Sequence, residues 1–267
     1  PAFRVPVEAI AKDVSLLEDL GVRFHFGSAA TVERLRADGA RYVLAAIGAE
    51  RDRDIGIEGA RGALEFLHAF RAGPSRLRPG RSVVVVGAGD TAMDAARAAR
   101  RCRGVRGVRV VYRRSEREMP ASREEFEDAL AEGVTFRFLA APERWNGRVL
   151  TCRAMRLGEP GPDGRARPEP TDATFDVPAD AVIAAAGSDV DAAAKAALEA
   201  AGAIAIGDAA TGPATIVKAI ASARKAVEAI VEREGGPRWT GLAPGFGVPT
   251  DPLALRRSRD RLLPVAA

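Results

Sequence analysis

The chain has 267 residues, 47% hydrophobic and 28% charged, which allows one large domain or two modest ones around a substantial core. Its 40 Lys and Arg face 36 Asp and Glu, the signs are interspersed, and no long basic run stands clear of acids, so nucleic acid is not an expected partner. Two cysteines in unrelated contexts, Cys102 and Cys152, cannot supply a zinc cage, an iron–sulfur cluster or a CxxC pair, which fits a cytoplasmic setting. No apolar run approaches the roughly 20 residues of a membrane span. The opening, Pro1 onward, lacks an initiator Met, is not a signal peptide, and reads as part of a longer protein.

In chain order, apolar residues at Val7, Ile10, Val14, Leu17 and Leu20 predict a helix closed by Gly21, and Val22 to Phe26 then alternates as a short strand. Residues 41–47 predict a second strand ending at Gly48; a loop over 49–60, a helix near Ala63–Phe70 and a linker from Ala72 to Gly80 follow. A β-α-β unit comes next: strand Ser82–Val86, helix Thr91 to Arg101, strand Val108–Tyr112. Ser122 with Glu125 at capping-box spacing starts a helix to Ala131, which leads to strand Val134–Leu139. Residues 158–172 read as a hairpin tip or mobile loop, Ala181–Ala186 as a buried strand ending at Gly187, and Ala192–Ala201 as an Ala-rich helix. Strand Ile204–Ile206, a Gly207-Asp208 turn and helix Ala214–Ile230 repeat the strand–turn–helix theme before an irregular tail from Gly235. Strands alternating with helices point to an α/β protein with a parallel sheet.

The motif that carries chemistry is Gly87-Ala88-Gly89-Asp90-Thr91-Ala92, a GxGxxA run directly between strand and helix. Gly87 permits the tight turn, Gly89 lets backbone approach a pyrophosphate, Ala92 keeps the helix close to the sheet, and the helix N-terminus offers N–H groups to phosphate. A lone glycine pattern is weak evidence; here strand, turn, helix and next strand occur in the right order. An NAD site places an acidic residue at the end of the second strand, whereas this chain has Tyr112-Arg113-Arg114. Two guanidinium groups there suit the 2′-phosphate of NADP(H), with Tyr112 near the adenine. The competing readings are that both arginines are merely solvated, or that Glu116 and Glu118 pair with them.

The run GAGDTAMDAARAAR through VRVVYRRSEREMPASREEFEDALAEGVTFRFLAAP resembles the NADPH domain of the glutamate synthase small subunit and its relatives. PAFRVP, Ala46-Ile47-Gly48-Ala49, and Gly207-Asp208 with GPATIVKAIASARKAVEAI also match, so the resemblance covers about residues 1 to 232. MRLGEPGPDGRARP and VIAAAG are most similar to the selenate reductase subunit branch. The resemblance implies a flavoprotein of the two-dinucleotide-binding-domain type, with a Rossmann-like NADP(H) domain inserted into a partial FAD-binding domain. On that basis residues 1–78 finish the first half of the FAD domain, 79–187 form the NADP(H) domain, and 188–267 return to the FAD domain. Ala46–Ala49 and Ala185–Ser188 would be the paired crossing strands, with Gly187 at the cofactor boundary. Gly207 and Asp208 would contact FAD at its ribityl–pyrophosphate region, and Gly212 to Thr215 would start a helix aimed at the flavin. The family's first FAD fingerprint and its cluster-binding cysteines are absent from this stretch, and the segment from Ser188 to Gly207 is shorter than the family's.

The expected function is an electron-input module that passes hydride from NADPH to FAD and electrons to an iron–sulfur or catalytic partner domain or subunit. The alternative is a redox-inactive NADP-binding scaffold or sensor. His25 and His68 are expected to be structural, Glu124, Glu125, Glu127 and Asp128 a solvated helix face, and Met93 and Phe126 core. No residue reads as a general acid or base, and hydride transfer between cofactors requires none.

Overall fold

The computed structural model describes residues 1–236 apart from Asp163; most of the irregular tail expected from Gly235 lies outside them. The described chain divides into two compact units, one of Ile47–Lys195 and one of Ala2–Ala46 with the described residues from Ala196.

The discontinuous unit opens with α1 (Val7–Asp19), which Gly21 ends at φ +88° as a left-handed cap. The strand expected at Val22 to Phe26 does not form: among the described residues no neighbouring strand takes up its ladder bonds, and Phe26 is exposed. Next come α2 (Val32–Ala37), capped by the Thr31 hydroxyl, and β1 (Leu44–Ala45), the only part of 41–47 that pairs as strand.

The continuous unit begins with β2 (Arg51–Asp52), β3 (Arg61–Gly62) and α3 (Ala63–Ala72). Asp52 caps α3 by accepting the Leu64 N–H at 3.0 Å and the Glu65 N–H at 3.2 Å, in space left open by Gly62. The expected linker carries a single 3-10 turn at Pro74–Arg76. Then follow β4 (Ser82–Val86), α4 (Asp90–Arg100), β5 (Gly107–Tyr112), α5 (Arg123–Ala131) and β6 (Thr135–Phe138). Of the two readings for 158–172, the hairpin tip holds and the mobile loop does not: β7 (Ala140–Trp145), β8 (Val149–Pro160) and β9 (Ala166–Pro178) form an antiparallel sheet in which β8 and β9 make a long hairpin that turns within that stretch. Glu159, Pro160, Arg167, Pro170 and Asp172 stand exposed on these two strands, so their polarity does not oppose the pairing. β10 (Ala181–Ala184) and β11 (Ser188–Asp189) complete the unit's strands.

A five-stranded parallel sheet, ordered β3-β10-β4-β5-β6, forms the centre. Val83–Val86 of β4 are buried, as an interior strand covered on both faces requires. One face carries the antiparallel sheet, with Val84, Val86, Val111, Leu150, Cys152 and Val182 in one buried cluster. The other side carries α4, packed against α3 and α5. Its Ala92, Ala95, Ala96, Ala98 and Ala99 are buried with Met93, and these methyl side chains let the helix lie close to the sheet.

The chain then returns through α6 (Ala192–Ala200), β12 (Ile204–Ala205), α7 (Asp208–Thr211) and α8 (Ile216–Arg233). β12 pairs in parallel with β1, and Val32, Val43, Ala45 and Ala203 form the core beside them. The helix expected over Ala214–Ile230 is α8, and the expected Gly207-Asp208 turn continues into the short α7, which ends at Gly212 (φ +80°). The expected crossing pair also lies further along the chain: Arg51–Asp52 pairs antiparallel with Ser188–Asp189, fastened by an Arg53–Asp189 ion pair.

Candidate dinucleotide site

The fingerprint turn sits at the carboxyl end of β4, between the ends of β5 and β10. Gly87, at φ +131°, donates its N–H to the Val111 carbonyl at 3.0 Å, and a Cβ there would collide with the Ala185 carbonyl. The surrounding protein thus demands glycine at this position. Gly89 differs: its φ is −89°, and the nearest atom to an added Cβ is Pro120 Cγ at 3.9 Å. Nothing in the described chain needs that space. Gly89 is also the N-cap of α4, no side chain caps this helix, and its first turn is open to an anion. Ala92 is fully buried with its N–H on the Gly89 carbonyl at 2.8 Å, while Thr91 is exposed.

The segment after β5 folds back over this turn. The Ala88 carbonyl accepts the Ala121 N–H at 3.1 Å, and Asp90 Oδ1 accepts the Ser122 N–H at 2.9 Å. The expected capping box is therefore only half made: Ser122 Oγ accepts the Glu125 N–H, but the Ser122 N–H goes to Asp90. Glu125 is only 9% exposed and pairs instead with Arg97, which itself is 5% exposed and also meets Asp128 and Glu132. Two of the four acids expected on a solvated face thus hold α5 to α4, and with it the loop between β5 and α5. Arg97 stands one turn after Met93 on the helix, and this position in an otherwise Ala-lined face was the available signal.

The arginines separate on inspection. Arg113 is exposed and makes no hydrogen bond or ion pair among the described residues. Arg114 is half-buried, and its Nε donates to the Ala166 carbonyl at 2.9 Å. Neither meets the glutamates: Glu116 pairs with Arg123, and Glu118 accepts from Ser115. Tyr112 does not lie free for an adenine; it is buried, and its hydroxyl donates to the Glu118 carbonyl at 2.9 Å. Beside them Glu116, Arg117, Met119, Ala121 and Arg123 line an open cleft of about 430 Å³.

Gly187 follows β10 at φ +103°, its carbonyl accepting the Arg53 N–H at 3.1 Å. In the discontinuous unit, Gly207 has φ +61° and ψ −144°, a conformation open essentially to glycine alone, and its N–H is held by Ser222 Oγ at 3.0 Å. Asp208 Oδ1 is a buried side-chain oxygen with no hydrogen-bond partner among the described residues. Thr215 caps α8 by accepting the Lys218 N–H.

Residues 7–223 match the model of the pyridine nucleotide-disulphide oxidoreductase family. The chain belongs to that family. It is 40% identical over 259 residues to YgfK of Escherichia coli K12, which carries an oxidoreductase name, covering 88% of this chain and 25% of that protein. It is 33% identical over 194 residues to the small chain of NADPH glutamate synthase from Azospirillum brasilense, covering 63% of this chain and 40% of the relative. The chain therefore spans about a quarter to two fifths of the length of these relatives. FprA of Mycobacterium tuberculosis, solved in complex with NADPH, has the same fold, with a TM-score of 0.59 at 17% identity over 88% of this chain and 72% of FprA. The chain thus shares the fold of the two-dinucleotide-binding-domain flavoprotein reductases. Its own cysteines supply no redox disulphide: Cys102 and Cys152 are both free and buried. No described helix is long and apolar enough to cross a membrane.

Proposed function

We propose that the chain is the NADPH-binding portion of a cytoplasmic flavin-linked oxidoreductase, which takes electrons from NADPH through FAD to an iron–sulfur or catalytic partner domain or subunit. The observation that carries this reading is Gly89: an uncapped helix start stands beneath a missing Cβ whose space no part of the described chain uses. Pyrophosphate fits that cradle, since the α4 amides and the helix dipole favour an anion there. Gly87 fixes the turn, Ala88 and Asp90 hold the overlying loop by hydrogen bonds, and Ala92 seats the helix against the sheet. Arg113 and Arg114 stand at the strand end where a 2′-phosphate would be read. FAD fits the other unit for a parallel reason, because the Asp208 oxygen left without a partner suits a ribityl hydroxyl donor. Gly207 permits the turn, and the N-terminus of α8 after Thr215 favours nearby negative charge. When bound, NADPH supplies a hydride equivalent and FAD accepts it; the protein binds and orients them. The names of the relatives, an NADPH glutamate synthase chain among them, support the choice of NADPH.

Calorimetry with NADPH and NADH tests the reading. A preference for NADPH of about tenfold or more, roughly 1.4 kcal/mol, abolished in the Arg113→Ala/Arg114→Ala double variant, is expected. Equal or absent binding of the two nucleotides overturns it. NADPH binding without any diaphorase activity in the presence of FAD would favour the scaffold reading instead.

A further inference from the structure

Arg114 joins two parts of the fold that the nucleotide reading does not by itself connect. Arg114 Nε donates to the carbonyl of Ala166, the first residue of β9, at 2.9 Å. That leaves the terminal guanidinium nitrogens, which make no hydrogen bond among the described residues. A second link runs through backbone. The Arg114 carbonyl accepts the Leu139 N–H at 3.1 Å, and the Leu139 carbonyl accepts the Met155 N–H of β8 at 2.8 Å. Leu139 itself has φ +54°, the one positive φ among the described non-glycine residues. A leucine held in that conformation is strained and persists only where its surroundings fix it. Both strands of the β8–β9 hairpin are thus fastened to the arginine that follows β5, one through a side chain and one through a strained junction residue. Arg113, the residue before it, carries no such tie.

We propose that Arg114 couples the nucleotide-reading loop to the β8–β9 hairpin, so that a 2′-phosphate engaged by the arginine pair stiffens the distal hairpin. This rests on the NADP(H) reading above. A guanidinium can serve both partners because its donors form a rigid planar fork: Nε faces the carbonyl while the terminal pair faces phosphate. Lysine carries the charge but not the fork. The hairpin would then report which nucleotide is bound, since NADH lacks the group that draws the terminal nitrogens.

Hydrogen exchange over residues 164–172, with calorimetry on the same samples, tests this in the whole chain. In the wild type, saturating NADPH is expected to slow exchange there at least threefold while saturating NADH leaves it unchanged. Arg114→Lys is expected to retain NADPH binding within about tenfold yet lose the added protection. Arg113→Ala is expected to weaken NADPH while leaving exchange without nucleotide as in the wild type. Protection that survives in Arg114→Lys, or is equal with NADH, overturns the coupling. NADPH-selective binding with no change in hairpin exchange also overturns it, and leaves the NADP(H) reading standing. Loss of selectivity in the wild type removes that reading itself, and the coupling with it.

Discussion

Two glycines of one motif do different work at the level of single residues. A Cβ at Gly87 meets backbone, and its φ of +131° is hostile to any side chain, so Gly87→Ala is expected to fold poorly. At Gly89 the protein leaves room and an ordinary φ, so Gly89→Ala should melt within a few degrees of the wild type. Its loss should fall on the ligand, with the NADPH dissociation constant raised about tenfold or more, or roughly 1.4 kcal/mol. Thermal melts and calorimetry on the pair separate the roles; an Ala at 89 that binds NADPH normally would remove the pyrophosphate from that cradle. The thiols give a second test. Burial, then the nearby Asp176 carboxylate, pushes the Cys152 thiol up to about 11, and burial raises Cys102 also. Thiolate is scarce at neutral pH, so neither should react with a disulfide reagent in the native protein, and both should react once it is unfolded.

Among the elements, α4 and α5 depend on Arg97. Its side chain is buried against Glu125, Asp128 and Glu132, so Arg97→Ala leaves Glu125 without its buried partner and should cost about 3–5 kcal/mol. Denaturant unfolding reads this directly. Glu132 adds a pH dependence: the hydrogen bond from Arg101, and then that from Arg97, holds its carboxyl below the ordinary value of 4.5. The folded state therefore binds fewer protons there than the unfolded chain. Its contribution is full above pH about 4.5 and is lost as the pH falls through the lowered value. Arg101→Ala should flatten the fall in Tm between about pH 5 and 3. An unchanged acid limb would show that this network does not govern acid stability.

Across the whole molecule, the unit of Ile47–Lys195 contains a complete five-stranded sheet, its covering helices and the fingerprint. A fragment of residues 47–195 should therefore unfold cooperatively and bind NADPH within about threefold of the full chain. A fragment without a thermal transition would show that its core needs the rest of the chain. Among the described residues, the other unit pairs only β1 with β12 and leaves apolar residues of its helices exposed, among them Leu20 of the α1 terminus at 74% and Ile216 of α8 at 76%.

What the sequence determined by itself was local chemistry. Hydrophobic period and caps placed α1, α4, α5 and β4 within a residue or two, because helix ends and buried parallel strands are written in nearest neighbours. The order of strand, GxGxxA and helix made the nucleotide motif legible for the same reason. Tertiary structure decided the rest. Whether Val22 to Phe26 becomes a strand depends on a neighbour that no local pattern records, and the β8–β9 hairpin depends on pairing between strands rich in Pro and charge. Glu125 looked solvated until Arg97 packed against it. Arg113 and Arg114 are adjacent and identical in sequence; only the approach of Ala166, 52 positions along the chain, gives them different surroundings. Contacts between distant parts of the chain fix burial and hydrogen-bond partners, and these set what each charged group is able to do.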